Sequence, residues 1–452
     1  MNIQLSDHFT YKKLLRFTLP SIAMMIFTSI YGVVDGFFVS NFAGKTPFAA
    51  VNFIMPFLMI LGAVGFMLGA GGSALIAKTM GEGDRARANR LFSMVVYITV
   101  FAGVAIGILG IVFIRPVAIW LGAKEGSLLL ENCVLYGRVI LAALPAFMLQ
   151  MEFQTFFITA EKPQLGLIVT VASGVTNIVL DALFVAVLPN VLGLSGDLRL
   201  FGAALATAIS QAAGGVIPLF YFARKNTSLL RLTRPYFEGG AFLKICTNGS
   251  SELMSNVSMS LVGMLYNVQL MKYAGEDGVA AYGVLMYVSM IFMAAFIGYS
   301  IGTAPVVGYH YGAQNHAELK SLLKKSLILI GIFSVGMLIL GEVLAYPLSV
   351  IFVGYDKALF DLTMRGFLIY SFSFLFSGIA IYGSGFFTAL NNGLVSALIS
   401  FLRTLVFQIA AVMLLPLIFD MDGIWYSIIV AEVMAALVTV AFLLGMRKKY
   451  HY

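Results

Sequence analysis

The chain has 452 residues, 60% of them hydrophobic and 11% charged, with a mean hydropathy of +0.95. Soluble domains carry about 25% charge, so the composition excludes a soluble enzyme and makes the bilayer the useful ruler, at roughly 20 residues per helical crossing. The net charge of +7 has no soluble basic domain to carry it, which argues against a nucleic-acid partner, and Cys133 and Cys246 are too few and too far apart for a disulfide framework or a zinc site.

In chain order, apolar runs predict six spans near Leu14–Ser40, Phe48–Ala77, Leu91–Ile114, Cys133–Ala160, Leu165–Leu188 and Leu200–Ala223. Six more are predicted near Phe242–Met271, Val279–Tyr309, Ser326–Phe352, Gly366–Leu390, Leu394–Ile418 and Ile424–Met446. Helices are required because barrel strands would read as alternating segments of about ten residues. The N-terminal MNIQLSDHFTYKKLLRF lacks a small-residue cleavage site, so the first span is expected to serve as its own insertion signal. Placing that terminus inside puts nineteen Lys and Arg in cytoplasmic segments and seven, including Lys45, Arg115 and Lys357, outside. The positive-inside rule then predicts that both termini are cytoplasmic. The basic break 224–243 is read as a solvated linker between lobes 1–223 and 244–452.

The halves are related. Ala43-Gly44 and Ala49-Ala50 reappear as Ala274-Gly275 and Ala280-Ala281 at an offset of 231 residues, which also aligns Gly71 with Gly302 and Gly81 with Gly312. Phe156-Phe157 and Thr159-Ala160 echo Phe386-Phe387 and Thr388-Ala389 at nearly that offset. Six spans per repeat make the repeat parallel, an arrangement found in transporters whose halves rock about a site between them. Glycine pairs Gly32/Gly36 and Gly298/Gly302, and the run Gly65-Phe-Met-Leu-Gly69-Ala-Gly71-Gly72, are read as close helix packing. That run lacks the strand and Lys-Ser/Thr of a phosphate loop.

Ionisable groups inside spans cost about 2.5–3.5 kcal/mol each on insertion scales and are functional candidates by default. They are Asp35, Arg138, Glu152, Asp181, Glu252, Glu342, Arg403 and Glu432. Asp35 and Asp181 lie at matched depth near the outer ends of the first and fifth spans. Asn177 shares a helical face with Asp181, and Thr207 reaches the same level on the sixth. Two carboxylates with amide and hydroxyl oxygens suit a hard monovalent cation. Side by side they also resist joint ionisation, so the site can instead exchange a proton. The counterpart of Asp35 in the second half is Tyr266, and the stretch around Ala411, opposite Asp181, has no acid. Glu152 and Glu252 lie deeper and are candidates for attracting a cationic substrate, with Met and aromatic side chains as an adaptable wall. Arg138, Glu342, Arg403 and Glu432 are expected to be paired or interfacial.

The segments VVDGFF, GAGGSALIAKTMGEGDRARAN, TNIVLDALF and GAALATAIS resemble the MATE (multidrug and toxic compound extrusion) transporters, in particular the MepA-like bacterial group. The resemblance covers essentially the whole chain. It implies an all-α integral membrane protein of twelve helices in two parallel-repeat six-helix bundles around a V-shaped cleft. It further implies a monomeric, multi-pass antiporter of the bacterial cytoplasmic membrane, surrounded by lipid and without enzymatic activity or cofactor. Such a protein exports amphipathic, often cationic drugs in exchange for H⁺ or Na⁺ by alternating access. Family cation-site residues match Asp35, Asn177, Asp181 and Thr207, where Na⁺ would bind if it is the coupling ion. Glu252 matches one half of a second cation site known in some relatives, but the tenth span lacks its acid. The competing readings are a flippase for lipid-linked saccharides, which would call for more basic residues in the spans, and a membrane-embedded transferase, for which no loop motif is present.

Overall fold

The computed structural model describes residues 3–193, 196–234 and 236–452. Among the described residues every element is helical. Six helices lie in the first half: α1 (Tyr11–Ala43), α2 (Lys45–Gly81), α3 (Arg85–Trp120), α4, α5 (Pro163–Leu192) and α6 (Leu198–Ala223). Helix α4 is bent, its segments Leu128–Ala142 and Leu144–Thr159 meeting at 56°. The 74-residue helix Gly239–Gly312 is two spans, α7 (239–274) and α8 (276–312), broken where Gly275 takes φ 64°. The remaining helices are α9 (His316–Val353), α10 (Lys357–Ala389), α11 (Gly393–Leu414) and α12 (Pro416–Tyr450). Ten of these helices are long and apolar enough to cross a membrane. The bent α4 is the eleventh crossing, and the 74-residue helix counts twice, giving the expected twelve.

The helix ends show why the sequence breaks where it does. Asp84 caps α3 by accepting the Arg87 N–H at 2.9 Å, and Asn315, 231 residues later, caps α9 by accepting the Glu318 N–H at 3.2 Å. Both satisfy an otherwise orphaned first-turn donor. The left-handed turn residues recur likewise: Gly44 with Gly275, Gly83 with Gln314, and Glu161 with Asn391. The α4 bend departs from the straight span expected there. Pro145, at the start of the second segment, has no N–H to continue the ladder.

The two halves join at the end where the termini lie and part at the other. One apolar core at the termini end draws on both halves, with Phe17, Ile76 and Phe156 beside Phe296, Val306 and Phe387. At the opposite end it divides. Val39, Leu58 and Leu200 belong to one core, and Leu285, Phe367 and Trp425 to another. Lipid offers no hydrophobic drive for joining helices, so the seam depends on close backbone approach. A Cβ on Gly81 would lie 2.0 Å from the Tyr309 carbonyl oxygen, and one on Gly312 would lie 2.0 Å from that of Lys78. These two contacts interchange under the 231-residue offset, the signature of a pseudo-two-fold axis. Gly71 against Ile245, Gly249 against Met67, and Gly298 against Ile22 extend the seam.

Two expectations change. Gly298 and Gly302 pack against α1, but Gly32 and Gly36, farther along α1 toward the end where the lobes part, have nothing within 4 Å. The segment 224–243 is no free connector. Arg231 N–H donates to Asn89 at 2.8 Å, Thr233 N–H to Ser93 at 2.7 Å, and Arg87 pairs with Glu238 at 2.7 Å, laying it along α3. Pro235 of this segment lies outside the described residues.

Candidate cation-coupling site

Asp35 sits on α1 one turn before a π-helical turn, Val39–Ala43, and Asp181 stands immediately before another on α5, Ala182–Val187. Such bulges re-aim the side chains beside them and recur at functional sites. Asp181 is fully buried, whereas Asp35 is partly exposed, with Oδ1 buried. The Asp35 carboxyl faces Asp181 and the Thr207 hydroxyl of α6. Asn177, one turn from Asp181, directs its Nδ2 toward Thr207 Oγ1 at 3.5 Å, and its own Oδ1 is buried without a donor. The four residues expected at one depth are therefore together, in the wall of the first lobe at the open end.

Among the described residues no donor reaches either oxygen of Asp181, and no lysine or arginine faces the pair. An unpaired buried carboxylate is expensive. A proton or a cation shared between the acids would offset that cost, and Asp35 is the more exposed of the two.

Three neighbours were not legible in the sequence. The fully buried Tyr136 of α4 lies beside Asp35, Asp181 and Thr207, its hydroxyl without a hydrogen-bond partner among the described residues. Tyr31, one turn before Asp35, lies between that carboxyl and Gln150. Gln150 Nε2 donates to Ser173 Oγ at 3.3 Å, and that hydroxyl donates to the Ser210 carbonyl at 2.7 Å. The only signal available was a polar group in an apolar run.

The other intramembrane charges separate. Glu252 is half-buried on α7, three residues past the Gly249 crossing, where the seam ends and the cleft begins. Glu152 does not reach the cleft in this conformation. It is fully buried inside the first lobe, its Cα against Gly69 of α2 and its carboxyl toward Thr99 of α3. Arg403 and Glu432 form a two-pronged pair at 2.9 and 3.0 Å. Glu342 faces Ser371, and Arg138 is exposed, without an ion pair among the described residues.

A family model described as MatE matches residues 20–183 and 253–414, well over half of the chain. The chain belongs to the MatE family. MatE proteins are transporters, and the match takes in Asp35, Asn177 and Asp181. The multidrug export protein MepA of Staphylococcus aureus (strain MRSA252) is 23% identical over 430 residues, covering 94% of this chain and 92% of that one. Its namesake from Staphylococcus saprophyticus is 25% identical over 437 residues with the same coverage. Among solved structures, the outward-facing conformation of a multidrug resistance MATE family transporter superposes with a TM-score of 0.90 at 23% identity, covering 99% of this chain and 98% of that one. A Pyrococcus furiosus transporter of the MOP superfamily gives 0.87 at 22%, covering 98% and 96%. These likenesses fix the MatE fold: two parallel six-helix bundles around a cleft.

Proposed function

We propose that this protein is a secondary active multidrug exporter, carrying amphipathic, often cationic compounds across the bacterial cytoplasmic membrane in exchange for H⁺ or Na⁺. The observation that carries the proposal is the Asp35–Asp181 pair, a buried acid without a cationic partner beside a half-exposed one at the open end of a two-lobed cleft. With Asn177 and Thr207 they form the coupling site, and Tyr136 completes its wall. With both termini cytoplasmic, the seam closes the cytoplasmic side and the cleft opens outward.

Exchange follows from competition between states. A proton or Na⁺ arriving through the outward cleft neutralises the pair and removes the cost of holding unpaired charge in a dry lobe. The neutral lobe favours closing the outer end and opening the seam. A cationic drug then enters from the cytoplasm, with Glu252 at the head of the seam as its electrostatic lure. Its binding releases the ion to the cytoplasm and favours return to the outward-open state, where the drug leaves. A ligand shifts such an equilibrium only through its different affinities for the two states, and an acid pair that is unpaired in one state supplies that difference.

In this reading the lobes are residues 1–223 and 244–452, joined by 224–243, and the protein works as a monomer in lipid. A flippase for lipid-linked saccharides would need a cleft richer in positive charge, whereas here Arg403 is already engaged by Glu432. The test is expression of Asp35→Asn in a drug-sensitive bacterium. At normal membrane abundance it loses the resistance to cationic dyes that the unaltered protein confers, and undiminished resistance would refute the coupling role.

A further inference from the structure

On the termini side, away from the central cleft, a cavity of about 500 Å³ opens between the start of α1, the α4–α5 turn and the end of α6. Its polar lining includes Arg16, Lys162, Gln164 and Glu161. Glu161 is already engaged. Its Oε1 accepts the Leu5 N–H at 2.6 Å, and Arg85 flanks it on the opposite side, in a separate small pocket. Arg16 and Lys162 form no close ion pair and no side-chain hydrogen bond among the described residues; Lys162 feels only the longer-range attraction of Glu161, which leaves both cations able to reach a ligand in the cavity. Its rim is apolar and faces outward from the bundle. Ile168, five residues into α5, is 62% exposed, as is Leu19, one turn beyond Arg16 on the neighbouring α1. Tyr221 closes the far wall.

We infer that this cavity is a binding site for the phosphate headgroup of an anionic phospholipid in the leaflet on the termini side. Arg16 and Lys162 bind the phosphate, Gln164 donates to it, and the acyl chains run along Leu19 and Ile168. The depth fits. Lys162 is the N-cap of α5 and Arg16 lies in the second turn of α1, at headgroup level, and the exposed aliphatic side chains lie deeper, Leu19 about one turn and Ile168 nearly two turns on, where acyl chains begin. Tyr221 is of the type enriched at that boundary. Basic pockets beside transmembrane helices on the cytoplasmic side bind anionic headgroups in this way, each cation near the surface contributing a factor of about five in affinity. A soluble anion would use the same charges but gain nothing from the apolar rim. This inference does not depend on the coupling reading, since the site faces lipid rather than the cleft.

The experiment is native mass spectrometry of the full-length protein with phosphatidylglycerol and phosphatidylcholine offered together, repeated on Arg16→Gln/Lys162→Gln and on the charge-preserving Arg16→Lys/Lys162→Arg. The expected result is one retained phosphatidylglycerol in the unaltered and charge-preserving proteins, about fivefold weaker retention in each single Gln variant, and loss in the double. Equal retention of the two lipids, or retention indifferent to the double Gln variant, overturns the site. Displacement of the lipid by millimolar inorganic phosphate overturns the lipid assignment in favour of a soluble anion. Should the double Gln variant fail to fold, the single variants carry the same comparison.

Discussion

Replacing Gly249 by Ala should tilt the protein away from the conformation described above. A Cβ at this position would lie 1.8 Å from the Met67 carbonyl oxygen and 2.7 Å from its carbon, both backbone atoms that no rotamer change can move. Restoring ordinary contact requires α2 and α7 to part by roughly 1.5 Å, at the about 1–3 kcal/mol typical of overpacking. A state in which the seam is open escapes that cost, so the ratio of open-seam to closed-seam molecules should rise about fivefold to more than a hundredfold. Double electron–electron resonance reads this directly, with one spin label per lobe at the termini end and a second pair at the opposite end. Gly249→Ala should lengthen the first distance and shorten the second, whereas Gly240→Ala, with nothing within 4 Å, should change neither. Unchanged distances in a folded Gly249→Ala protein would show that glycine contact does not set the conformational balance.

Gly36→Val should push the other way, because Gly36 has nothing within 4 Å at the end where the lobes must meet when the cleft closes. The same spin labels should show the closed-seam form enriched even with drug present. Arg403→Ala should lower thermal stability, since it strands the nearly buried Glu432, and breaking such a pair costs about 3–5 kcal/mol. Arg403→Met with Glu432→Leu should recover most of that loss in a melting assay. Tyr136→Phe should keep abundance and raise thermal stability by about 1 kcal/mol or more, since the buried Tyr136 hydroxyl has no hydrogen-bond partner among the described residues. A melting assay measures it.

What the sequence made visible follows the physics of each feature. Asp35 and Asp181 could be matched by counting residues from span ends, because helical rise converts sequence distance into depth. The inter-lobe glycines were legible as small-residue packing, but which pairs touch depends on the conformation, so Gly298 packs and Gly32 does not. Depth says nothing of azimuth, and for that reason Glu152 was expected at the cleft and lies instead between α2 and α3. Tyr136 was hidden for a related reason. The bend beside Pro145 helps set which way the two segments of α4 face, and an unbroken apolar run masks it. Arg403 and Glu432 read as residues needing partners, yet 29 positions on two helices separate them, and only the packed lobe shows that they need each other.

The account rests on an ion-driven exchange through the acid pair of the first lobe. Its most direct test is uptake of a cationic dye by proteoliposomes holding either the unaltered protein or Asp35→Asn, with pH and Na⁺ gradients imposed separately. The unaltered protein should move dye against its own gradient under at least one of the two, and Asp35→Asn under neither. Dye movement at the same rate without any ion gradient, or undiminished in Asp35→Asn, would contradict the account.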